Sequence, residues 1–374
     1  MHTRSSFPGA GKSKRGRTRN DFVNSTYTLQ VGRAVFRPES GGGFLLTVPD
    51  VEGTYEIPYI QSSRDLDVRA EMHSPGLQKL EVVLQKDEQA VGSGTLRREG
   101  PALRFADLEY GTYALQVRGL GTGEDELFSA TCKPIGLGLV IAALGDSITE
   151  GYFGEDYSMP ELDLTAAMFP PNSVSRDGRN FPQYAPTTHV HKPDVNCMKS
   201  WMTDLNDRLA ASLGYPVFIA NEGWGGYTAA DYVRLVREDE NWQTRMAFLE
   251  PNMWLIHLGV NDGRAMRAPR DVVGDIEAVV DVLCARYKAK PHRVLLARPC
   301  YDYEPGAEDI LRAYCAAIDD LVSKRGLARG PDFFTAYARD KDRLYGPDPV
   351  HPTPEGMRFM AELWSASIVQ ALVS

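Results

Sequence analysis

Near Pro134 the hydrophobic pattern of this chain changes period, and that change decides what each side can fold into. Upstream, from about 22 to 133, the pattern is short, period-two and β-rich: Tyr27-Thr28-Leu29-Gln30-Val31, Gly43-Phe44-Leu45-Leu46-Thr47-Val48, Leu80-Glu81-Val82-Val83-Leu84 and Thr112-Tyr113-Ala114-Leu115-Gln116-Val117. Turn clusters such as Ser40-Gly41-Gly42-Gly43 and Gly119-Leu120-Gly121-Thr122-Gly123 separate the runs. Period two with this punctuation predicts an antiparallel all-β sandwich, with jelly-roll and immunoglobulin-like topologies both open. Downstream, an apolar run at 138–144 ends in Gly145, and further runs at 216–220, 253–258, 293–297 and 332–336 predict strands. Between them Leu311, Tyr314, Cys315, Ile318, Leu321 and Val322 mark one helical face, and Phe359, Met360, Leu363, Trp364 and Ile368 another. Strands alternating with helices predict a parallel sheet covered on both faces, whose ligands bind beyond the carboxyl ends of the strands.

A chain of 374 residues exceeds the usual single domain. The expected division is a basic tail at 1–20, a β-sandwich unit at 21–134 and an α/β unit at 135–374. The tail holds six basic residues (Arg4, Lys12, Lys14, Arg15, Arg17, Arg19) and no acid, so the formal charge of −9 for the chain becomes −15 for the rest. Such a tail reads as a solvated terminus, and an acidic body argues against polyanionic substrates, so no nucleic-acid partner is expected. Gly9-Ala10-Gly11-Lys12-Ser13 is not a phosphate-binding loop, because position 6 is serine and no strand precedes it. The five cysteines (Cys132, Cys197, Cys284, Cys300, Cys315) are scattered without a paired spacing, which suggests neither a disulfide framework nor a zinc site. No apolar run is long enough for a membrane span and the N-terminus lacks the apolar middle of a signal peptide, so a cytoplasmic location and no membrane partner are expected.

Four segments follow predicted strands. Gly145-Asp146-Ser147-Ile148-Thr149 would project Ser147 from a strand end into the loop layer, where a nucleophile belongs; by itself the tripeptide is equally an N-capped turn. Asp348-Pro349-Val350-His351-Pro352 places a carboxylate three residues before an imidazole, in a turn stiffened by Pro347, Pro349 and Pro352. At that offset Asp348 can accept from one ring nitrogen of His351 and leave the other free as a base. Thr353-Pro354 then reads as the N-cap and first position of the last helix. Asn221-Glu222-Gly223-Trp224-Gly225-Gly226-Tyr227-Thr228 and Leu258-Gly259-Val260-Asn261-Asp262-Gly263 offer glycine N–H groups and an asparagine amide, the donor types that a tetrahedral oxyanion needs.

In this order, each at a strand end, the four blocks resemble the SGNH hydrolase superfamily, also called GDSL esterases and lipases. The resemblance covers about 135–374 and is sharp at the four blocks. It implies a flavodoxin-like three-layer α/β/α domain with about five parallel strands, here preceded by a jelly-roll-like all-β sandwich. It also implies a serine esterase with Ser147 as nucleophile, His351 as base and Asp348 as its orienting partner, and an oxyanion hole formed by Ser147, Gly226 and Asn261. No cofactor is required. The second block reads Gly-Gly-Tyr-Thr rather than Ser-Gly-Asp-Thr, which leaves Gly225 as a competitor of Gly226. An ordinary α/β-hydrolase would need a Gly-x-Ser-x-Gly elbow, and Thr149 stands where its second glycine belongs. No dinucleotide-binding Gly-x-Gly-x-x-Gly follows a strand.

The stretch 152–195 breaks the strand–helix rhythm with many Pro, Tyr, Phe and His residues, as lids and pocket walls do. His189 and His191 are spaced like metal ligands but lack nearby Cys or a matching acidic cluster, so no metal is expected. Tyr152, Phe153, Trp224 and Tyr227 are candidates to line the substrate site. A β-sandwich fused to an SGNH domain is similar to arrangements among carbohydrate esterases, an analogy that points to acetyl esters, with O-acetyl groups on carbohydrate as the substrate class. The alternatives are a lipid-directed lysophospholipase or thioesterase and a non-catalytic carbohydrate-binding protein.

Overall fold

A strand with no exposed residue needs cover on both faces, and Leu139–Gly145 is buried at every position. The structure, a computed structural model, describes residues 29–31, 34–39, 43–48, 59–122, 125–151, 201–302, 304–346 and 348–373. In it this strand, β11, lies inside a five-stranded sheet with β12 (Val217–Gly223), β13 (Met253–His257), β14 (Val294–Arg298) and β15 (Ala328–Asp332). All pairings are parallel and the order is β12-β11-β13-β14-β15, the flavodoxin-like arrangement.

Side chains alternate across the sheet, so two cores form. Val140, Ala142, Leu144, Trp254 and Ile256 pack under α3 (Ala229–Glu238), α4 (Glu240–Leu249), α6 (Pro269–Tyr287) and α7 (Ala307–Arg325). Leu139, Ile141, Ala143, Met253 and Leu255 pack under α2 (Trp201–Leu213), α8 (Phe333–Arg339) and α10 (Pro354–Val373). Short turns of helix complete the unit: α1 (Ser147–Glu150), α5 (Val260–Arg264) and α9 (Lys341–Leu344). The buried face of α7 is the one expected, and Met360, Trp364 and Ile368 of α10 are buried with Phe359 and Leu363 partly so.

One expected strand is corrected. Residues 332–336 begin a helix rather than forming a strand, because the Asp332 carboxylate accepts the Thr335 N–H at 3.0 Å as an N-cap while Phe333 and Phe334 bury on the helix. The strand lies just upstream in Ala-Arg-Gly-Pro-Asp, an edge strand paired among the described residues to β14 alone, which needs little apolar surface and tolerates Pro331.

Upstream, the described residues form two further five-stranded sheets. One runs β1 (Leu29–Val31), β2 (Ala34–Glu39), β3 (Gly43–Val48), β5 (Leu66–Met72), β8 (Leu103–Phe105). The other runs β4 (Tyr59–Gln61), β10 (Glu126–Leu137), β9 (Gly111–Leu120), β6 (Lys79–Lys86), β7 (Gln89–Arg97). Leu66 and Val68 of the first share a core with Leu80, Val82, Leu115 and Val117 of the second. The expectation of purely antiparallel pairing is corrected: β3–β5 and β4–β10 are parallel. The chain leaves β3 for a strand of the opposite sheet before returning as β5, which restores its direction. Pro134 falls at a register irregularity within β10, the place a central strand accommodates a residue without an N–H.

β10 passes into β11 through Gly138, whose N–H donates to the Gln61 carbonyl at 2.9 Å. At the same junction Asn252 Nδ2 donates to Tyr110 Oη at 3.1 Å, and the Tyr110 and Tyr215 rings lie 5.1 Å apart. Gly138, Tyr215 and Asn252 all precede parallel strands, so these contacts lie at the amino ends of the sheet. No helix among the described residues is long and apolar enough to cross a membrane.

Candidate active site

The carboxyl end of β11 is built for close approach. A Cβ on Gly145 would lie 2.1 Å from Thr149 Oγ1 and 2.8 Å from the His257 carbonyl, so only glycine fits. Asp146 caps the single turn α1, its Oδ1 accepting from Ile148 N at 3.0 Å, and this puts Ser147 at the first helical position with 8% of its surface exposed. The Asp146 carboxyl is fully buried, and burial pushes it up to about 7; the Ile148 N–H opposes the rise, while the Asp262 and Glu150 charges add to it. Near neutrality it is partly protonated, which limits negative charge beside Ser147.

The loop before α10 arrives from the other side. An isolated bridge between Tyr345 and Pro352 closes it, and Gly346 N donates to the His351 carbonyl at 2.8 Å. Asp348 Oδ1 accepts from Val350 N at 2.9 Å and His351 N at 2.8 Å, while Asp348 Oδ2 lies 2.7 Å from His351 Nδ1. His351 Nε2 is in turn 2.7 Å from Ser147 Oγ. Partial burial works to raise the Asp348 carboxyl, but the His351 ring and the two backbone N–H groups outweigh it and hold it at about 2. An ionised Asp348 favours the tautomer with its proton on Nδ1, which leaves Nε2 as acceptor for the serine proton. Pro347 lies outside the described residues; Thr353 Oγ1 accepts from Gly356 N at 3.1 Å, as an N-cap does.

β12 ends beside β11, with Gly223 in register with Gly145. Beyond it Trp224 N donates to the Gly145 carbonyl at 2.8 Å, and Tyr227 N returns to the Trp224 carbonyl at 3.1 Å, closing a four-residue turn. Gly226 sits third in that turn at φ +80°, where a type II turn calls for glycine. The two consecutive glycines differ: Gly225 N donates to Glu150 Oε2 at 2.7 Å, whereas the Gly226 N–H has no hydrogen-bond partner among the described residues. Asn261, half-buried on α5, donates from Nδ2 to the Tyr227 carbonyl at 3.0 Å, which orients its amide and leaves a second N–H available.

Trp224 is 5% exposed and stacks on Tyr227 with ring centroids 5.1 Å apart, so its face is already covered. Tyr227 is half-buried and also meets Tyr232 edge-on at 5.8 Å. Tyr152, Phe153, the stretch 152–195, His189 and His191 lie outside the described residues, as does the basic tail.

Several supporting residues escape sequence reasoning. Glu222 and Arg245 form an ion pair in which both side chains are essentially unexposed, with Arg245 Nε donating to Glu222 Oε1 at 2.7 Å. Asp262, fully buried, accepts from Ala229 N at 3.0 Å and pairs with Arg267, tying the start of α3 to α5. Arg264 Nε donates to buried Asp302 at 2.8 Å. Only Glu150 carries a sequence signal, its place three residues past Ser147 on one helical turn.

Residues 143–359 match the model of the GDSL-like lipase/acylhydrolase family. No curated protein matches the chain. Among solved structures, the chain is similar to a catalytic mutant of an acetylxylan esterase from Geobacillus stearothermophilus (14% identity, TM-score 0.42, 63% of this chain and 94% of that one). A GDSL-like lipase from Parabacteroides merdae is similar at 16% identity and TM-score 0.43, over 61% of this chain and 94% of that one. TesA is similar at 18% identity and TM-score 0.42, over 62% of this chain and 99% of that one. At these values none of the three carries an argument about substrate.

Proposed function

Because the chain belongs to the GDSL-like lipase/acylhydrolase family, we propose that it is a serine ester hydrolase with Ser147 as nucleophile, His351 as general base and Asp348 as the group that orients it. The observation that carries this reading is the unbroken hydrogen-bonded line from Ser147 Oγ through His351 to Asp348, 2.7 Å at both links. In the reaction His351 Nε2 takes the serine proton as Oγ attacks the ester carbonyl, and the same nitrogen returns it to the departing alcohol. Water then hydrolyses the acyl-enzyme by the same route in reverse. The oxyanion forms against the N–H groups of Ser147 and Gly226 and the Asn261 amide. Gly225 is the weaker candidate, since Glu150 already occupies its N–H.

The substrate class in this proposal is short acyl esters, with O-acetyl groups on carbohydrate as the natural members. A basic tail at 1–20, a β-sandwich unit at 21–134 of jelly-roll-like type and a catalytic unit at 135–374 complete the proposal. The substrate reading rests on composition: 152–195 offers Tyr157, Phe169, Phe181, Tyr184, His189 and His191 among prolines, with no run of Leu, Ile and Val to shelter a long acyl tail. A long-chain preference needs many buried methylenes at about 0.8 kcal/mol each. The test is hydrolysis of aryl esters of increasing chain length by the parent and by Ser147→Ala. Acetyl esters are expected to be cleaved much faster than octanoyl esters, and Ser147→Ala to lose roughly 10⁴-fold or more in rate. Turnover in Ser147→Ala within about tenfold of the parent removes Ser147 from the mechanism. A kcat/KM that climbs from acetyl to decanoyl transfers the assignment to lipid-directed substrates.

A further inference from the structure

A carboxylate buried beside the place where an oxyanion forms opposes catalysis unless it serves another purpose, and Glu150 is such a carboxylate. It is 2% exposed and ends the helical turn that Ser147 begins. Its Oε2 accepts the Gly225 N–H at 2.7 Å. Its backbone carbonyl accepts from Asn221 Nδ2 at 3.2 Å, and Asn221 Oδ1 accepts from Gly223 N at 3.0 Å. A Cβ on Gly223 would stand 2.2 Å from Glu150 N, so the end of β12 is pressed directly against α1. The helical turn bearing Ser147 and the turn bearing Gly226 are therefore clamped together at Glu150.

Resting on the serine-esterase reading above, we infer that Glu150 is a positioning residue for the oxyanion site: by engaging the Gly225 N–H it fixes the turn Trp224–Tyr227 so that Gly226 supplies the donor. Without that bond, rotation of the peptide between Gly225 and Gly226 costs little, because two adjacent glycines tolerate either sign of φ. The donor would then be smeared over several orientations, and oxyanion stabilisation depends on donors fixed before the reaction begins. The hydrogen bond is what matters, since a neutral amide acceptor can replace the carboxylate while removing an unfavourable charge.

The test is steady-state kinetics on an acetyl aryl ester with full-length Glu150→Ala, Glu150→Gln and Glu150→Asp, alongside Ser147→Ala. Glu150→Ala is expected to lose roughly 10- to 100-fold in kcat with KM moved by less than about threefold, and Glu150→Gln to recover most of the loss. Glu150→Asp keeps the charge but falls short by a methylene, so it is expected to show the same loss in kcat. That variant carries the test if Glu150→Ala does not fold. A kcat within about twofold of the parent in Glu150→Ala or Glu150→Asp overturns the inference, as does a change confined to KM or a Gln variant no better than Ala. An inactive Ser147→Ala beside unaffected Glu150 variants overturns this inference alone. Turnover surviving in Ser147→Ala overturns the serine reading and this inference with it.

Discussion

Asp146 shows how burial of one group reaches into both stability and chemistry. Its carboxyl is raised to about 7 in the folded chain, first by burial, against an ordinary value of 3.8. Between these values the unfolded chain releases the proton and the folded chain keeps it, so stability falls as pH rises from about 4 to about 7 and then levels off. Asp146→Asn keeps an oxygen for Ile148 N and removes the titration. Its stability relative to the parent, read as the difference in melting temperature, is therefore expected to rise across that window by an amount on the order of a few kcal/mol in total, whatever its offset below pH 4. A difference that stays flat from pH 4 to 8 would show that Asp146 is ionised in the fold. For Asn261, Ala substitution is expected to lower kcat roughly 10²- to 10³-fold with little change in KM, measured on the same ester. A change in KM alone would make Asn261 a binding residue. Ser147, Asp348, His351, Gly226 and Asn261 were legible as candidates because each follows a predicted strand or opens the last helix. Glu222 and Asp262 were not, and Glu150 showed only its place on the turn after Ser147, since what distinguishes all three is burial against partners far away in sequence.

At the scale of elements, sequence patterns succeeded where one rule governed and failed where two competed. β11, β12 and β13 read as unbroken apolar runs because both their faces are covered, and α7 and α10 read as stripes because only one is. β15 was missed because an edge strand with the burial of Ala328–Asp332 has no such signature, and Phe333 and Phe334 next to it imitate one. Helix caps were more legible, since a cap is a local event. Thr353 caps α10 and its N–H also holds the Leu344 carbonyl at 2.8 Å. Thr353→Ala is expected to lose ~1 kcal/mol and roughly 2–4 °C in melting temperature. kcat is expected to stay within about threefold, because His351 keeps its bonds to Gly346 and Asp348. An unchanged melting temperature would mean that the hydroxyl contributes nothing as a cap.

For the molecule as a whole, the direction of the parallel sheet separates support from the candidate site. Ser147, Gly226 and Asn261 lie beyond the carboxyl ends of β11, β12 and β13, whereas Tyr110, Gln61 and Ser62 meet the chain just before those same strands. Ser62 Oγ donates to the Glu250 carbonyl at 2.7 Å, and Tyr110 Oη donates to the Ser62 carbonyl at 3.2 Å while accepting from Asn252. The described β-rich residues at this junction thus brace the sheet from the end opposite the site. Tyr110→Ala removes a ring pair worth about 0.5–1.5 kcal/mol beyond its buried area and leaves Asn252 Nδ2 without that acceptor. The expected result is a melting temperature lower by several degrees with kcat/KM for a small soluble ester within about twofold of the parent, by calorimetry and kinetics on one preparation. A loss of about tenfold or more in kcat/KM at an unchanged melting temperature would instead couple this junction to the substrate, and the β-rich part would have to be counted among the walls of the site.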